Sequence, residues 1–221
     1  MEVRERLQQI KRKISIAATR TGRDEKKIKL IAVTKRVDIL RIQKVIAEGI
    51  TDLGENRVQE LSEKINLLPT GLHWHMIGHL QTNKVKSIVG RVSLIHSLDS
   101  WRLAQEIDSQ AEKKDVKALV LVQVNISGET AKYGLAPNEL GDFLVALRGL
   151  SCVETAGLMT VAPHVRNPEE VRPFFKALRL LAEKHRLTHL SMGMSNDFEV
   201  AVEEGASILR LGTAIFGARE N

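Results

Sequence analysis

Cysteine occurs once in the 221 residues, at Cys152, which rules out an internal disulfide and any cysteine-based metal cage. Tyrosine also occurs once, and aromatic residues make up only 4% of the chain, leaving little for stacking against nucleic-acid bases. Five prolines are too few for a proline-rich linker, and no low-complexity tract interrupts the sequence. Long apolar runs are missing too: the stretch from Ala118 to Val124 is far too short to span a bilayer. The opening Met1-Glu2-Val3-Arg4-Glu5 lacks the apolar core of a signal peptide, so a cytoplasmic protein with no membrane contact is expected.

Charge is plentiful and biased, with a formal net charge of +6. The basic residues are nevertheless scattered among acidic neighbours, and Lys26-Lys27 and Lys113-Lys114 are the only adjacent lysine pairs. A basic RNA-binding barrel would associate with nucleic acid in a salt-sensitive way. Attraction of a small phosphorylated anion accounts for the charge without a nucleic-acid partner.

The apolar pattern alternates along the chain. Val3, Leu7, Ile10, Ile14 and Ala17/Ala18 have helical spacing, predicting a first helix over 2–21. Strand-like runs follow at about 28–35, 51–55, 73–78, 91–98, 116–125, 153–161, 188–193 and 208–216. Helical segments fall between them at about 38–48, 57–67, 81–89, 100–113, 137–148, 168–185 and 196–204. Strands separated by helices pair in parallel through right-handed crossovers. The prediction is one domain over 1–221, a single (β/α)8 TIM-type barrel with an extra N-terminal helix; an open doubly wound sheet is the alternative. Because Asn221 lies only a few residues past the last strand, the N-terminal helix is expected to fill the place of a final helix.

In such a barrel the residues that end strands converge on one mouth. Those positions hold Lys35, Asn56, His79, Asn125, Thr160, Ser195 and the stretch Arg210-Leu211-Gly212-Thr213. Lys35 closes the apolar run Ile28 to Thr34, placing a primary amine at a strand end. Loops after the last two strands commonly hold a phosphate, and Ser191-Met192-Gly193-Met194-Ser195 suits one. Ser195 reads equally well as the N-cap of a helix beginning near Asn196.

Five segments in this order, AVTK (32–35), GENRVQE (54–60), WHMIGHLQTNK (74–84), SMGMSND (191–197) and RLGTAIFG (210–217), resemble the YggS/PROSC family of pyridoxal phosphate homeostasis proteins. The resemblance covers nearly the whole chain. It implies a barrel similar to the N-terminal domain of alanine racemase, with pyridoxal 5'-phosphate (PLP) as cofactor, held as a Schiff base on Lys35. By the same resemblance Arg210 faces the pyridine nitrogen, and Ser195, Gly212, Thr213 and the backbone N–H of Met194 serve the phosphate. Asn56 is the matched partner for the ring or its 3-hydroxyl. A permanent cation at the ring nitrogen would mute its electron-sink behaviour.

Two positions depart from the family pattern: Arg57 follows GEN where many relatives have tyrosine, and Tyr133 stands where a serine is usual. The implied function is a monomeric PLP carrier that takes part in PLP homeostasis, without strong catalysis, with PLP-dependent apoenzymes as transient partners. A PLP-dependent racemase is the alternative, yet racemisation needs a second base, which in alanine racemases is a tyrosine of a further domain. A metal-dependent hydrolase is the remaining reading, resting on His73 and His75, two apart on a strand, together with His79. No metal and no catalytic residue are expected.

Overall fold

The structure, a computed structural model, describes residues 2–217. Its centre is a closed barrel of parallel strands: β1 (Lys29–Val33), β2 (Asp52–Glu55), β3 (His73–Met76), β4 (Leu94–Leu98), β5 (Ala118–Gln123), β6 (Val153–Met159), β7 (His189–Ser191) and β8 (Ile208–Leu211). Closure is made by β1, which pairs with β2 on one side and with β8 on the other, Ile31 opposite Arg210. The open-sheet alternative is thereby excluded, and the TIM-type reading holds. The helices are α1 (Val3–Arg20), α2 (Ile39–Ala47), α3 (Val58–Leu67), α4 (Val85–Ile88), α5 (Trp101–Glu112), α6 (Leu140–Leu147), α7 (Arg172–His185), α8 (Phe198–Glu203) and α9 (Thr213–Phe216).

Strand side chains alternate in direction, so each strand serves two cores. Ala32, Leu53, Trp74, Ile95, Val120, Leu158, Leu190 and Leu209 join the large apolar cluster between strands and helices. Residues of the other parity, Ile31, Leu94, Leu121, Met159 and Ile208, form a small cluster of their own inside the barrel. Burial on both faces is why the strands read as continuous apolar runs rather than alternating ones. The stripe Leu7, Ile10, Ile14, Ala17 and Ala18 buries α1 against the barrel, packed beside α8 and α9. Ion pairs Lys13–Glu199 (2.7 Å) and Arg20–Glu203 (3.1 Å) fix its register along α8.

Several boundaries differ from the sequence reading. The run 208–216 is a strand only to Leu211; Thr213–Phe216 is a helical turn, so a short helix does follow the last strand beside α1. Ile215 and Phe216 are buried, and so short an apolar run has no periodicity that separates strand from helix. Segment 81–89 is a 3-10 turn, Thr82–Lys84, leading into α4, and α7 is likewise preceded by a 3-10 turn, Pro168–Val171. The helix expected from Asn196 begins at Phe198, with Asp197 as its N-cap.

Close backbone approach explains two glycines. A Cβ on Gly157 would lie 2.0 Å from the His189 carbonyl oxygen of the neighbouring strand. Gly193 adopts φ +91°, and a Cβ there would come within 2.5 Å of the Ala201 Cβ. Gly157→Ala is therefore expected to lower the unfolding free energy by about 2 kcal/mol, seen as a reduced urea midpoint; an unchanged midpoint would contradict the β6–β7 contact.

Candidate functional site

The seven residues proposed for the site come from adjacent staves, β7, β8, β1 and β2. Lys35 lies two residues past the end of β1 and is half-buried, while Asn56 directly follows β2. Gly78 makes room for Asn56: a Cβ at Gly78 would stand 2.3 Å from the Asn56 carbonyl oxygen. Arg210 lies on β8, Gly212 and Thr213 follow it, and Met194 and Ser195 lie in the loop between β7 and α8.

Arg210 is buried, and burial pulls its guanidinium down to about 10, so it stays charged at neutral pH. The charge is satisfied from inside the barrel. Nη2 donates to the Thr160 carbonyl at 2.8 Å and Nη1 to Ser191 Oγ at 2.5 Å. From Ser191 a single file of hydrogen bonds descends through the barrel: to His96 Nδ1 at 2.9 Å, from His96 Nε2 to His75 Nδ1 at 3.0 Å, and from His75 Nε2 to Asp52 Oδ1 at 3.0 Å. Lys29 Nζ meets the same Asp52 oxygen at 2.6 Å, at the far end of the barrel.

One assignment of protons satisfies every pair. An ionised Asp52 accepts from His75 Nε2–H, His75 Nδ1 accepts from His96 Nε2–H, and His96 Nδ1 accepts from the Ser191 hydroxyl, which itself accepts from Arg210. Both histidines are then neutral, in keeping with their surroundings. Burial pushes His75 below 6.5 despite the opposing pull of Asp52, and burial, aided by His75 and Arg210, pushes His96 well below it. Burial alone would raise Asp52, but the hydrogen bonds from His75 and Lys29 outweigh it and bring it to about 2.

The β7–β8 side is braced by Ser195. Ser195 Oγ accepts from the N–H groups of Gly212 (3.3 Å) and Ala214 (3.0 Å), which leaves its own proton to donate outward. Ser195 is thus a brace between two loops rather than an N-cap. Exposed Thr213 lies between those two donors, in the first turn of α9, where N–H groups lack helical partners. The Met194 N–H is already engaged, donating to Asp197 Oδ1 at 2.6 Å. Burial raises Asp197 against the pull of that N–H and of Arg210.

The other strand ends shape the rim. Asn125 folds the loop after β5, its Oδ1 accepting from the Gly128 N–H at 3.1 Å and its Nδ2 donating to the Glu129 carbonyl at 2.9 Å. That loop carries Tyr133, 57% exposed, whose ring stacks on His79 at a centroid distance of 3.8 Å. His79 Nδ1 pairs with Asp99 Oδ2 at 3.2 Å, bridging three strand-end loops. Arg57, the other departure, is exposed at the start of α3.

The histidines of the hydrolase reading do not gather. His73 is exposed, His75 points into the barrel toward His96, and His79 is stacked at the rim. Among the described residues no cluster of three His, Cys, Asp or Glu side chains is placed to hold a metal ion. The sequence reading also overlooked His96, Ser191 and Asp52 as parts of one polar file, and Asp99 as the partner of His79. A histidine and a serine flanked by Leu94, Ile95 and Leu98 were the available signal.

Comparison with known proteins agrees with this geometry. Residues 6–220 match the family described as the alanine racemase N-terminal domain. The pyridoxal phosphate homeostasis protein of Aquifex aeolicus (strain VF5) is 45% identical over 227 residues, covering 100% of both chains. The chain belongs to the pyridoxal phosphate homeostasis protein family. The homeostasis protein of Escherichia coli (strain K12) is 38% identical over 99% of this chain and 97% of its own. PipY of Synechococcus elongatus PCC7942, solved with PLP bound, superposes with a TM-score of 0.82 at 35% identity, over 98% of this chain and 100% of that one. An alanine racemase of Clostridium difficile 630 shares the fold at a TM-score of 0.72 and 18% identity, and the chain spans 57% of its length.

The buried file also sets a pH dependence. Groups held below their ordinary values contribute stability that is complete above those values and lost as pH falls. His75 and His96 should start this loss below about pH 6.5, and Asp52 extends it from 3.8 toward 2. Urea midpoints measured from pH 8 to pH 4 are expected to fall steadily in the parent protein and more shallowly in a folded His75→Gln/His96→Gln variant. Equal slopes would show that these imidazoles are not neutral in the native state.

Proposed function

We propose that this protein binds PLP at the mouth of the barrel and serves PLP homeostasis as a carrier rather than as an enzyme. When bound, PLP supplies an aldehyde able to condense with a primary amine and a pyridine ring able to withdraw electrons. The residues present fit such a group. Lys35 offers the amine and would carry PLP as a Schiff base, an attachment that needs a deprotonated and accessible nitrogen. Ser195 and Thr213 would take the phosphate, flanked by Gly212 and Met194, whose N–H groups are engaged by Ser195 Oγ and Asp197, and Asn56 would take the ring edge.

The observation that carries the carrier reading is the buried guanidinium of Arg210. Its hydrogen bonds to Ser191, the last residue of β7, and to Thr160, just past β6, hold a permanent cation near the barrel end that Lys35 also occupies, which supports this reading. Placed beside the pyridine nitrogen of bound PLP, it would keep that nitrogen unprotonated and leave the ring a poor acceptor of electrons. The second base that racemisation requires has no evident source, since the one tyrosine is stacked on His79. The chain also matches the homeostasis proteins end to end and the racemase over 57% of its length.

We further propose that the protein is a single-domain cytoplasmic monomer that meets PLP-dependent apoenzymes transiently. Among the described residues no helix is long and apolar enough to cross a membrane.

Titration with PLP, followed by visible absorbance, tests the binding reading. The parent should develop a saturable band that Lys35→Ala loses, and Ser195→Ala should weaken the affinity about tenfold through loss of a hydrogen bond to a charged oxygen. A full band in Lys35→Ala would refute the assignment. Turnover of an amino acid by the loaded protein at ordinary enzymatic rates would refute the carrier role.

A further inference from the structure

The segment that presents Lys35 is unusually constrained for a strand-end loop. Arg36 adopts φ 57°, a left-handed conformation that costs a non-glycine residue about 1–2 kcal/mol. Such a residue persists where its surroundings dictate it. Here the surroundings are three ionisable side chains from β2 and α3, namely Glu55, Glu60 and Lys64, and they grip both neighbours of Lys35.

On the N-terminal side every polar group of Thr34 is engaged. Its N–H donates to the Gly54 carbonyl at 2.9 Å, its hydroxyl donates to Glu55 Oε1 at 2.6 Å, and its carbonyl accepts from Lys64 Nζ at 2.7 Å. Besides the cluster, that carbonyl accepts from the Val37 N–H at 2.9 Å, closing a turn around Lys35 and Arg36. On the C-terminal side the Arg36 N–H donates to Glu60 Oε2 at 2.9 Å. The grips are joined: Lys64 Nζ contacts Glu55 Oε1 at 2.6 Å and Glu60 Oε2 at 3.4 Å. Glu55 is fully buried and Lys64 is 7% exposed. Burial pushes the Glu60 carboxyl up, but the Arg36 N–H and Lys64 outweigh that effect and hold it below the ordinary range.

Burying a lysine and a glutamate is a poor way to gain stability, because desolvation cancels much of their attraction. What the arrangement supplies is geometry: the peptide groups on both sides of Lys35 are fixed by the same ammonium-centred cluster. We infer that Lys64, together with Glu55 and Glu60, positions Lys35, setting the direction in which its amine enters the mouth. This inference rests on the reading of Lys35 as the PLP-bearing residue. None of the three need touch the cofactor; they act through the backbone of Lys35.

Two variants separate positioning from mere folding. Glu60→Ala removes the acceptor of the Arg36 N–H together with the longer contact to Lys64, at the more exposed edge of the cluster, and Glu55→Gln/Lys64→Met removes both buried charges together. In the protein without PLP, amide hydrogen exchange at Arg36 is expected to accelerate about tenfold in Glu60→Ala, as for loss of one charge-assisted hydrogen bond. With PLP, each folded variant should show an affinity weakened about tenfold and a shifted pH midpoint of the visible band, at a urea midpoint near that of the parent for Glu60→Ala.

Unchanged exchange at Arg36 would overturn the inference, because the grip would then be immaterial. Faster exchange with unaltered PLP affinity and pH midpoint would overturn it also, leaving the cluster a folding element. Should the double variant not fold, Glu60→Ala decides alone. Failure of the underlying reading looks different: Lys35→Ala would keep the visible band, whatever the exchange rates.

Discussion

A guanidinium buried in a barrel must be satisfied from within, and the interior of this protein is arranged around that demand. Arg210 cannot shed its proton at neutral pH, so each nearby oxygen and nitrogen has to orient toward it or away from it. Ser191 accepts from it and passes the polarity on through His96 and His75 to Asp52, where Lys29 closes the series. The result is a column of one-directional hydrogen bonds beside the small apolar cluster of Ile31, Leu94, Leu121, Met159 and Ile208. It keeps both imidazoles neutral and holds the cation near the strand ends, where, on the function proposed above, it would limit how strongly a bound ring can draw electrons.

β2 links this column to the second polar system of the barrel. Asp52 at its start receives the end of the column, and Glu55 at its end anchors the cluster around Lys64. One strand of four residues therefore ties the guanidinium of β8 to the loop that follows β1. Ser195 performs the matching task on the other side, bracing the β7 loop against the turn after β8. Lys35, Arg210 and the Ser195 loop are thus held by three separate sets of hydrogen bonds that share one barrel. Such division suits the carrier function proposed above, in which a reactive aldehyde is kept in place while its chemistry stays idle.

Much of this was legible in the sequence, for a physical reason. Parallel strands buried on both faces must be apolar at nearly every position, so they stand out as unbroken runs, and Lys35 is conspicuous because it ends one. Arg210 and Ser195 stood among the strand-end positions, but the role of Arg210 came only through resemblance and Ser195 read equally well as an ordinary cap, since spacing alone does not distinguish these uses. Lys64 was hidden by its setting: on α3, four residues after Glu60, it looks like half of a solvated helix pair. The partnership of His96 with Ser191 was beyond reach, as 95 residues separate them and only barrel closure brings them together. His73, His75 and His79 misled in the opposite sense, sharing a spacing that suggests one site while the fold sends them to three places.

The account stands on Lys35 as the tether for PLP. Borohydride reduction of the PLP-loaded protein, followed by proteolysis and mass mapping, reports that attachment directly. The expected result is one adduct per chain, on the peptide that contains Thr34, Lys35 and Arg36, and none after reduction of Lys35→Ala. An adduct on another lysine in the parent protein, or an equal yield from Lys35→Ala, would contradict it.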